Sequence, residues 1–173
     1  MKLTLFGWSV LASVLTAGTP AFAEQALVAV AANFIPPFRE IAMEFETATG
    51  HTLRVVAGSS GNFFSQIKNG APFDVLFSAD MDRPRLLEDE GFGVKDSRFT
   101  YAIGRLVLWS PTPDFVKGEE TLRSKNFKRL AIANPKTAPY GVAAMQAMQK
   151  LELWENLQPH IVMGESLGQT MGF

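Results

Sequence analysis

Four short segments of small and polar residues could together bind an anion. Each contains a hydroxyl or amide side chain and follows an apolar run: 31–33 (AAN), 58–61 (GSSG), 134–141 (NPKTAPYG) and 164–168 (GESLG). If a helix begins at each segment, its first backbone N–H groups have no acceptor within the helix and lie at the positive end of the helix dipole. Several such helix starts aimed at one point hold an anion without any arginine or lysine.

A simpler explanation exists for each segment taken alone. Serine is strongly preferred as the N-cap of a helix, so Ser60 by itself is most readily explained as a cap. Four segments that share this character are harder to explain as unrelated caps, because only a cleft between two lobes would bring them together. The pattern therefore favours a binding site in such a cleft.

The residues that an enzyme would need are poorly placed. The two histidines, His51 and His160, are far apart in the sequence and each stands at an expected strand start, which favours a structural role over a metal pair or a catalytic base. Segment 58–61 lacks the Gly-x-Ser-x-Gly spacing of a nucleophile turn, and no Gly-Lys-Ser/Thr follows it as in a phosphate-binding loop. A hydrolase that uses Ser60 stays open as an alternative, but we predict a binding protein and not an enzyme.

The neighbouring residues Asp80 and Asp82 could suggest a metal site. Capping of a following helix explains Asp82 more simply. The acidic run 88–90 (EDE) is typical of a solvated helix face. We therefore expect no resident cofactor.

The composition excludes several classes of protein. Of the 173 residues, 47% are hydrophobic, which is enough to build a core and argues against a disordered chain. Lys and Arg number 16 against 17 Asp and Glu, so the chain lacks the basic surface of a nucleic-acid binder. Because the chain has no cysteine, disulfides, thiolate catalysis and sulfur-ligated zinc are excluded.

Residues 1–23 have the character of a cleaved export signal. Lys2 is followed by the apolar run 3–15 and by helix-breaking glycine and proline, and residues 21–23 (AFA) fit the small-x-small pattern of a signal peptidase site. The apolar run is shorter than the roughly 20 residues that a membrane span needs, although an uncleaved anchor is the alternative. We expect cleavage before Glu24 and export of a soluble mature protein.

Strands and helices are predicted to alternate along the rest of the chain. The predicted strands are short apolar or β-branched runs at 26–31, 52–56, 74–78, 130–133 and 160–163. The predicted helices lie at 36–50, 63–69, 82–91, 141–151 and from 168 onward. This order indicates an α/β fold with parallel sheets covered by helices.

A longer strand is predicted over 100–110 (TYAIGRLVLWS), because its aromatic and branched residues are typical of strands. Pro111 and Pro113 bound it, and we expect it to cross between two lobes. We assign residues 24–104 to a first lobe and residues 105–173 to a second.

Together these motifs resemble the periplasmic molybdate-binding proteins that feed ABC transporters, within the type II solute-binding superfamily. The matching stretches are 28–34 (VAVAANF), 58–80 (GSSGNFFSQIKNGAPFDVLFSAD), 98–110 (RFTYAIGRLVLWS) and 132–141 (IANPKTAPYG). The resemblance covers essentially all of the chain after the export signal. It implies two α/β lobes with a ligand cleft between them, a periplasmic monomer, and a membrane permease as partner.

In that family the oxyanion is held in the cleft by backbone N–H groups and a few hydroxyls. Carried over by motif, the contacts from the first lobe would be Ala32 or Asn33 and Ser60. Those from the second lobe would be the backbone N–H of Tyr140 and Leu167. The resemblance thus implies that molybdate, or the similar tungstate, is held through Asn33, Ser60, Tyr140 and Leu167.

Three features depart from the family pattern. Many members have serine in place of Asn33, whose amide can still donate, and a small residue in place of Tyr140, whose ring is expected to narrow or roof the cleft. The family also extends well past the position of Phe173, so we expect an incomplete second lobe and return crossover, without a further family ligand residue. A binding protein for another oxyanion or a small organic acid, and a truncated product that does not bind, are the alternatives.

Overall fold

The computed structural model describes residues 23–173. The predicted export signal lies outside the described residues except for Ala23. None of the helices in the described part combines the length and apolar character that crossing a membrane requires.

The first lobe is a parallel three-stranded sheet with helices that follow its strands. Its strands are β1 (Gln25–Ala31), β2 (Thr52–Gly58) and β3 (Val75–Phe77), and its helices are α1 (Ile35–Thr49), α2 (Ser60–Lys68) and α3 (Asp82–Asp89). The strand order is β2-β1-β3, with every pairing parallel. Because β1 is central, Val28 and Val30 are buried and pack with Phe38 of α1. The unbroken apolar run at 26–31 is the sequence signature of such a strand.

The second lobe repeats the arrangement on a smaller scale. Its strands are β4 (Leu130–Ala133) and β5 (Ile161–Gly164), and its helices are α4 (Glu119–Ser124), α5 (Pro139–Lys150), α6 (Trp154–Leu157) and α7 (Leu167–Thr170). The two strands pair in parallel. Ile132, Met148 and Leu157 form the centre of a separate apolar core. The predicted alternation of strands and helices is therefore confirmed in both lobes.

The strand predicted over 100–110 is wrong. Within the part of the chain that the structure describes, this segment pairs with no strand, and Ile103 and Val107 are exposed at 89% and 74%. Branched and aromatic residues favour an extended backbone, but a strand also needs a neighbouring edge with free hydrogen-bonding groups. The adjacent edge strand, β3, is only 3 residues long. The boundary between lobes at 104/105 stays a prediction.

The direction of the strands decides where a ligand could lie. In each parallel sheet the carboxyl ends of the strands meet at one edge, and ligands of open α/β sheets bind beyond that edge. Strands β1, β2, β4 and β5 end at Ala31, Gly58, Ala133 and Gly164, immediately before or at the start of the four polar segments. The two lobes face each other at these ends.

Candidate anion-binding site

A small cavity between the lobes brings together all five residues predicted for the site. Its lining includes Ala32, Asn33, Ser60, Tyr140 and Leu167. The other lining residues are Ala31, Gly58, Ser59, Ala79, Ala138 and Pro139. Each of the four polar segments contributes at least one residue, so the clustering expected from the sequence is present.

Each predicted residue stands in the first turn of a helix. Ser60 begins α2, Leu167 begins α7, and Ala32 begins a short 3-10 turn that ends at Phe34. Pro139 begins α5 and has no N–H, so the first donor of that helix is the N–H of Tyr140. N–H groups in a first turn have no acceptor within their helix, and those of the lining residues are candidate donors to an anion in the cavity.

The hydroxyl of Ser60 is placed to donate into the cavity. Ser60 is fully buried, and its Oγ accepts a hydrogen bond of 2.9 Å from the backbone N–H of Ala79. A hydroxyl that accepts in this way keeps its own hydrogen for a further acceptor. The N-cap of α2 is instead Ser59, whose Oγ accepts from the N–H of Asn62 at 3.4 Å. The explanation of Ser60 as a simple N-cap is therefore wrong.

The cavity is lined by neutral groups. None of the residues described around it is acidic or basic. The carboxylate of Glu165, which is not among the lining residues, accepts a hydrogen bond from Asn134 Nδ2 at 3.0 Å. The attraction for an anion must then come from N–H dipoles and hydroxyls, as the sequence pattern indicated.

The free space in the cavity is small. The centre of a water-sized sphere can move through about 10 Å³ of it, which corresponds to roughly one water molecule. The lobes thus lie in contact around the site. An anion held in this cavity would contact both lobes.

The side chain of Tyr140 lies against Gly104 in the segment between the lobes. A Cβ atom added at Gly104 would lie only 2.2 Å from the Tyr140 hydroxyl and 3.2 Å from Cζ. A side chain at position 104 would therefore have to displace the end of the phenol ring. The contact shows that the end of the Tyr140 ring lies beside Gly104. That the ring narrows or roofs the cleft stays a prediction.

Tyr101 anchors the same interlobe segment to the first lobe. Its hydroxyl donates to the carbonyl of Ser78 at 2.6 Å, and its ring packs against Phe34 and Phe77 with centroid distances of 4.7 and 5.1 Å. Burial raises the pKa of the Tyr101 phenol, and nearby Tyr140 and Asp80 raise it further. Sequence reasoning did not assign Tyr101 or Ala79 a role, because both positions depend on tertiary packing after β3.

Asp80 and Asp82 have roles different from those expected. Asp80 Oδ1 accepts from the N–H of Arg83 at 2.9 Å and its other oxygen pairs with the Arg83 guanidinium, whereas Asp82 is the first residue of α3. Asp80 is therefore the side chain that satisfies the start of α3, and the assignment of Asp82 as the cap is wrong. Within residues 23–173 no three histidine or acidic side chains gather as a metal site would require.

Comparison with known proteins agrees with this architecture. A family model described as bacterial extracellular solute-binding protein matches residues 26–173. The molybdate-binding protein ModA of Azotobacter vinelandii is 50% identical over 172 residues, covering 97% of this chain and 68% of that protein. ModA of Rhodobacter capsulatus is 46% identical over 167 residues, covering 96% of this chain and 66% of that protein.

A solved structure confirms the predicted fold class. The periplasmic molybdate-binding protein of Azotobacter vinelandii matches with a TM-score of 0.82 and 42% sequence identity, covering 85% of this chain and 65% of that one. The chain therefore spans about two thirds of the length of these relatives.

Proposed function

The chain belongs to the bacterial extracellular solute-binding protein family, and from this premise we propose that it binds molybdate, or tungstate, outside the cytoplasm for delivery to the membrane permease of an ABC transporter. The observation that carries the proposal is the neutral cavity that gathers Ala32, Asn33, Ser60, Tyr140 and Leu167 at helix starts of both lobes. Two relatives, 50% and 46% identical to this chain, are named molybdate-binding proteins, and we take molybdate as the ligand on that ground.

Binding would proceed by closure of the lobes on the anion. The first lobe offers the Ser60 hydroxyl together with Ala32 or Asn33, and the second offers the N–H groups of Tyr140 and Leu167. Hydrogen bonds to an ion are stronger than those between neutral groups, so uncharged donors suffice. An anion held from both sides favours the closed form over the open one, and the permease would recognise the closed form.

Selectivity would come from the dimensions of the cavity. Molybdate, tungstate and sulfate are tetrahedral dianions, so charge alone cannot separate them. Donors fixed at four helix starts set the distance at which an oxyanion satisfies all of them at once. An oxyanion of the wrong size leaves buried donors without an acceptor, and each such donor costs about 1–3 kcal/mol.

A hydrolase that uses Ser60 receives no support from the surroundings of this residue. His51 Nδ1 accepts from the N–H of Glu24 at 3.1 Å, and His160 packs its ring against Phe127 at 5.8 Å. Neither histidine is among the residues that line the cavity. We therefore propose a binding role without catalysis.

The proposal places the mature protein in the periplasm as a monomer. It includes cleavage of the export signal before Glu24, and a first lobe of residues 24–104 joined to a second lobe of residues 105–173. Mass spectrometry of the protein recovered from the periplasm would give the mature N-terminus directly. Recovery with residues 1–23 still attached would favour the uncleaved anchor.

Thermal unfolding with and without oxyanions tests the function. A ligand that binds only the folded state raises the melting temperature by mass action. We expect molybdate and tungstate to raise it at concentrations where sulfate and phosphate do not. A larger increase in melting temperature with another oxyanion or a small organic acid would identify that compound as the ligand instead. No increase with any of them would favour a product that does not bind.

A further inference from the structure

One backbone hydrogen bond joins the two lobes beside the cavity. The N–H of Gly61, in the first turn of α2, donates to the carbonyl of Thr137 at 2.9 Å. Gly61 follows Ser60, and Thr137 lies two residues before α5. Among the residues that the structure describes, no other backbone hydrogen bond connects elements of the first lobe to elements of the second.

We propose that Gly61 and Thr137 form a latch that holds the closed cleft, and that closure requires glycine at position 61. The proposal rests on the proposed binding of an oxyanion between the lobes. It assigns these two residues a positioning role, since neither is among the residues that line the cavity.

The close approach of the two backbones explains the need for glycine. A Cβ atom added at Gly61 would lie 2.6 Å from the Thr137 carbonyl oxygen and 3.1 Å from its Cα. No side chain tolerates such a distance to backbone atoms, so any other residue would push the Thr137 loop away. Gly61 does not have a positive φ, and its conformational freedom is therefore not the reason.

Hydrogen bonds within the second lobe hold the Thr137 carbonyl in place. The N–H of Thr137 donates to the carbonyl of Asn134 at 3.1 Å, and its Oγ1 donates to the carbonyl of Glu165 at 3.1 Å. Asn134 Nδ2 also donates to the Glu165 carboxylate at 3.0 Å. The latch therefore connects the helix that begins at Ser60 with both loops of the second lobe that reach the cavity.

A contact made only when the lobes meet stabilises the closed state alone. Its loss should speed release of the anion, because release requires opening, and should change capture by the open state far less. We expect Gly61→Ala to raise the dissociation rate of molybdate about five- to tenfold and to change the association rate less than twofold.

Rapid-mixing tryptophan fluorescence with molybdate measures both rates. The control is Gly93→Ala, since a Cβ atom at Gly93 would make only ordinary contacts, the shortest 3.4 Å to the N–H nitrogen of Glu88. Alanine is compatible with helix α2, and the melting temperature of unliganded Gly61→Ala checks that the variant is folded. An unchanged dissociation rate in Gly61→Ala would overturn the latch.

A second measurement tests the latch without any ligand. Because the chain has no cysteine, spin labels can be attached only at introduced sites, and the exposed residues Glu44 of α1 and Lys150 of α5 suit Glu44→Cys and Lys150→Cys. Double electron–electron resonance measures the distances between the two labels. When Gly61→Ala is added, we expect a larger share of long distances. Identical distance distributions with and without Gly61→Ala would overturn the latch. Failure of the unaltered protein to bind molybdate would overturn the proposed function and leave this test of the latch unaffected.

Discussion

The Oγ atom of Ser60 accepts a hydrogen bond of 2.9 Å from the backbone N–H of Ala79. Ser60 begins α2, while Ala79 follows β3, so this bond joins the start of a helix to the segment after a strand at the carboxyl edge of the first sheet. It also fixes the orientation of the hydroxyl, because an oxygen that accepts from Ala79 points its own hydrogen elsewhere. The third strand thus contributes to the site through a backbone group.

Replacement of Ser60 by alanine should weaken the binding of molybdate. The Ser60→Ala variant loses a donor to an ion, a hydrogen bond that contributes about 1.5–3 kcal/mol. We therefore expect the affinity measured by calorimetry to fall roughly 10- to 100-fold. The melting temperature should fall as well, since the N–H of Ala79 loses its acceptor.

Ser65→Ala is the matched control for that variant. Ser65 lies on the same helix, α2, and is exposed. Its replacement should leave the affinity for molybdate unchanged. If Ser60→Ala, folded and soluble, binds molybdate as tightly as the unaltered protein, then Ser60 does not contact the anion.

Local patterns in the sequence were sufficient for most of the fold. The run that became β1 is apolar at every position after Gln25, and this identifies a strand buried on both faces wherever its neighbours lie. Segment 100–110 has equally strong strand character but remains unpaired. The difference is that pairing depends on an edge supplied from elsewhere in the chain, which the composition of a segment does not reveal.

The site was predictable to a similar degree. Residues at the carboxyl ends of parallel strands were expected to meet, and Ser60, Tyr140 and Leu167 line one cavity. The roles of adjacent residues were not predictable, because a shift of one position decides that Ser59 caps α2 while Ser60 turns to Ala79. Such a choice is made by packing and not by residue type.

A side chain added at Gly104 should force the ring of Tyr140 to move. A Cβ atom at this position would lie 2.2 Å from the Tyr140 hydroxyl, so Gly104→Ala must displace the ring in the first turn of α5. We expect lower thermal stability and weaker molybdate binding, with a loss of about 1–3 kcal/mol in the free energy of unfolding, as for other overpacked positions.

Removal of the Tyr140 hydroxyl should partly rescue that variant. The ring atom Cζ would lie 3.2 Å from the added Cβ, a distance that a small shift relieves. Denaturant unfolding of Gly104→Ala, Tyr140→Phe and the double variant forms a double-mutant cycle. Strictly additive effects would show that the two residues do not interact.

Asp80 should contribute more to stability than Asp82. Asp80 caps the first turn of α3 and pairs with Arg83, whereas the side chain of Asp82 is 82% exposed and only 3.4 Å from the Arg85 guanidinium. Loss of a cap costs about 1 kcal/mol, and an exposed ion pair contributes a few tenths (~0.3–0.5 kcal/mol). Asp80→Ala should therefore lower the free energy of unfolding by more than Asp82→Ala does. An equal loss in both variants would contradict the capping role of Asp80.

Tyr101 should make the stability of the protein sensitive to alkali. Burial holds the pKa of its phenol above the ordinary value near 10, and its hydrogen bond to the Ser78 carbonyl requires the proton. Because the folded state binds this proton more tightly than the unfolded state, the associated stability is fully present below about pH 10. It is lost as the pH rises through the folded-state pKa.

The chain has 2 tyrosines, which makes this titration simple to measure. Near-ultraviolet absorbance of the folded protein should show part of the tyrosinate signal appearing only above the ordinary range, and Tyr101→Phe should remove that part. Denaturant unfolding across the same pH range should lose stability more steeply in the unaltered protein than in Tyr101→Phe, because only the former must release the buried proton. Equal slopes would mean that the Tyr101 phenol ionises as readily in the folded state as in the unfolded one.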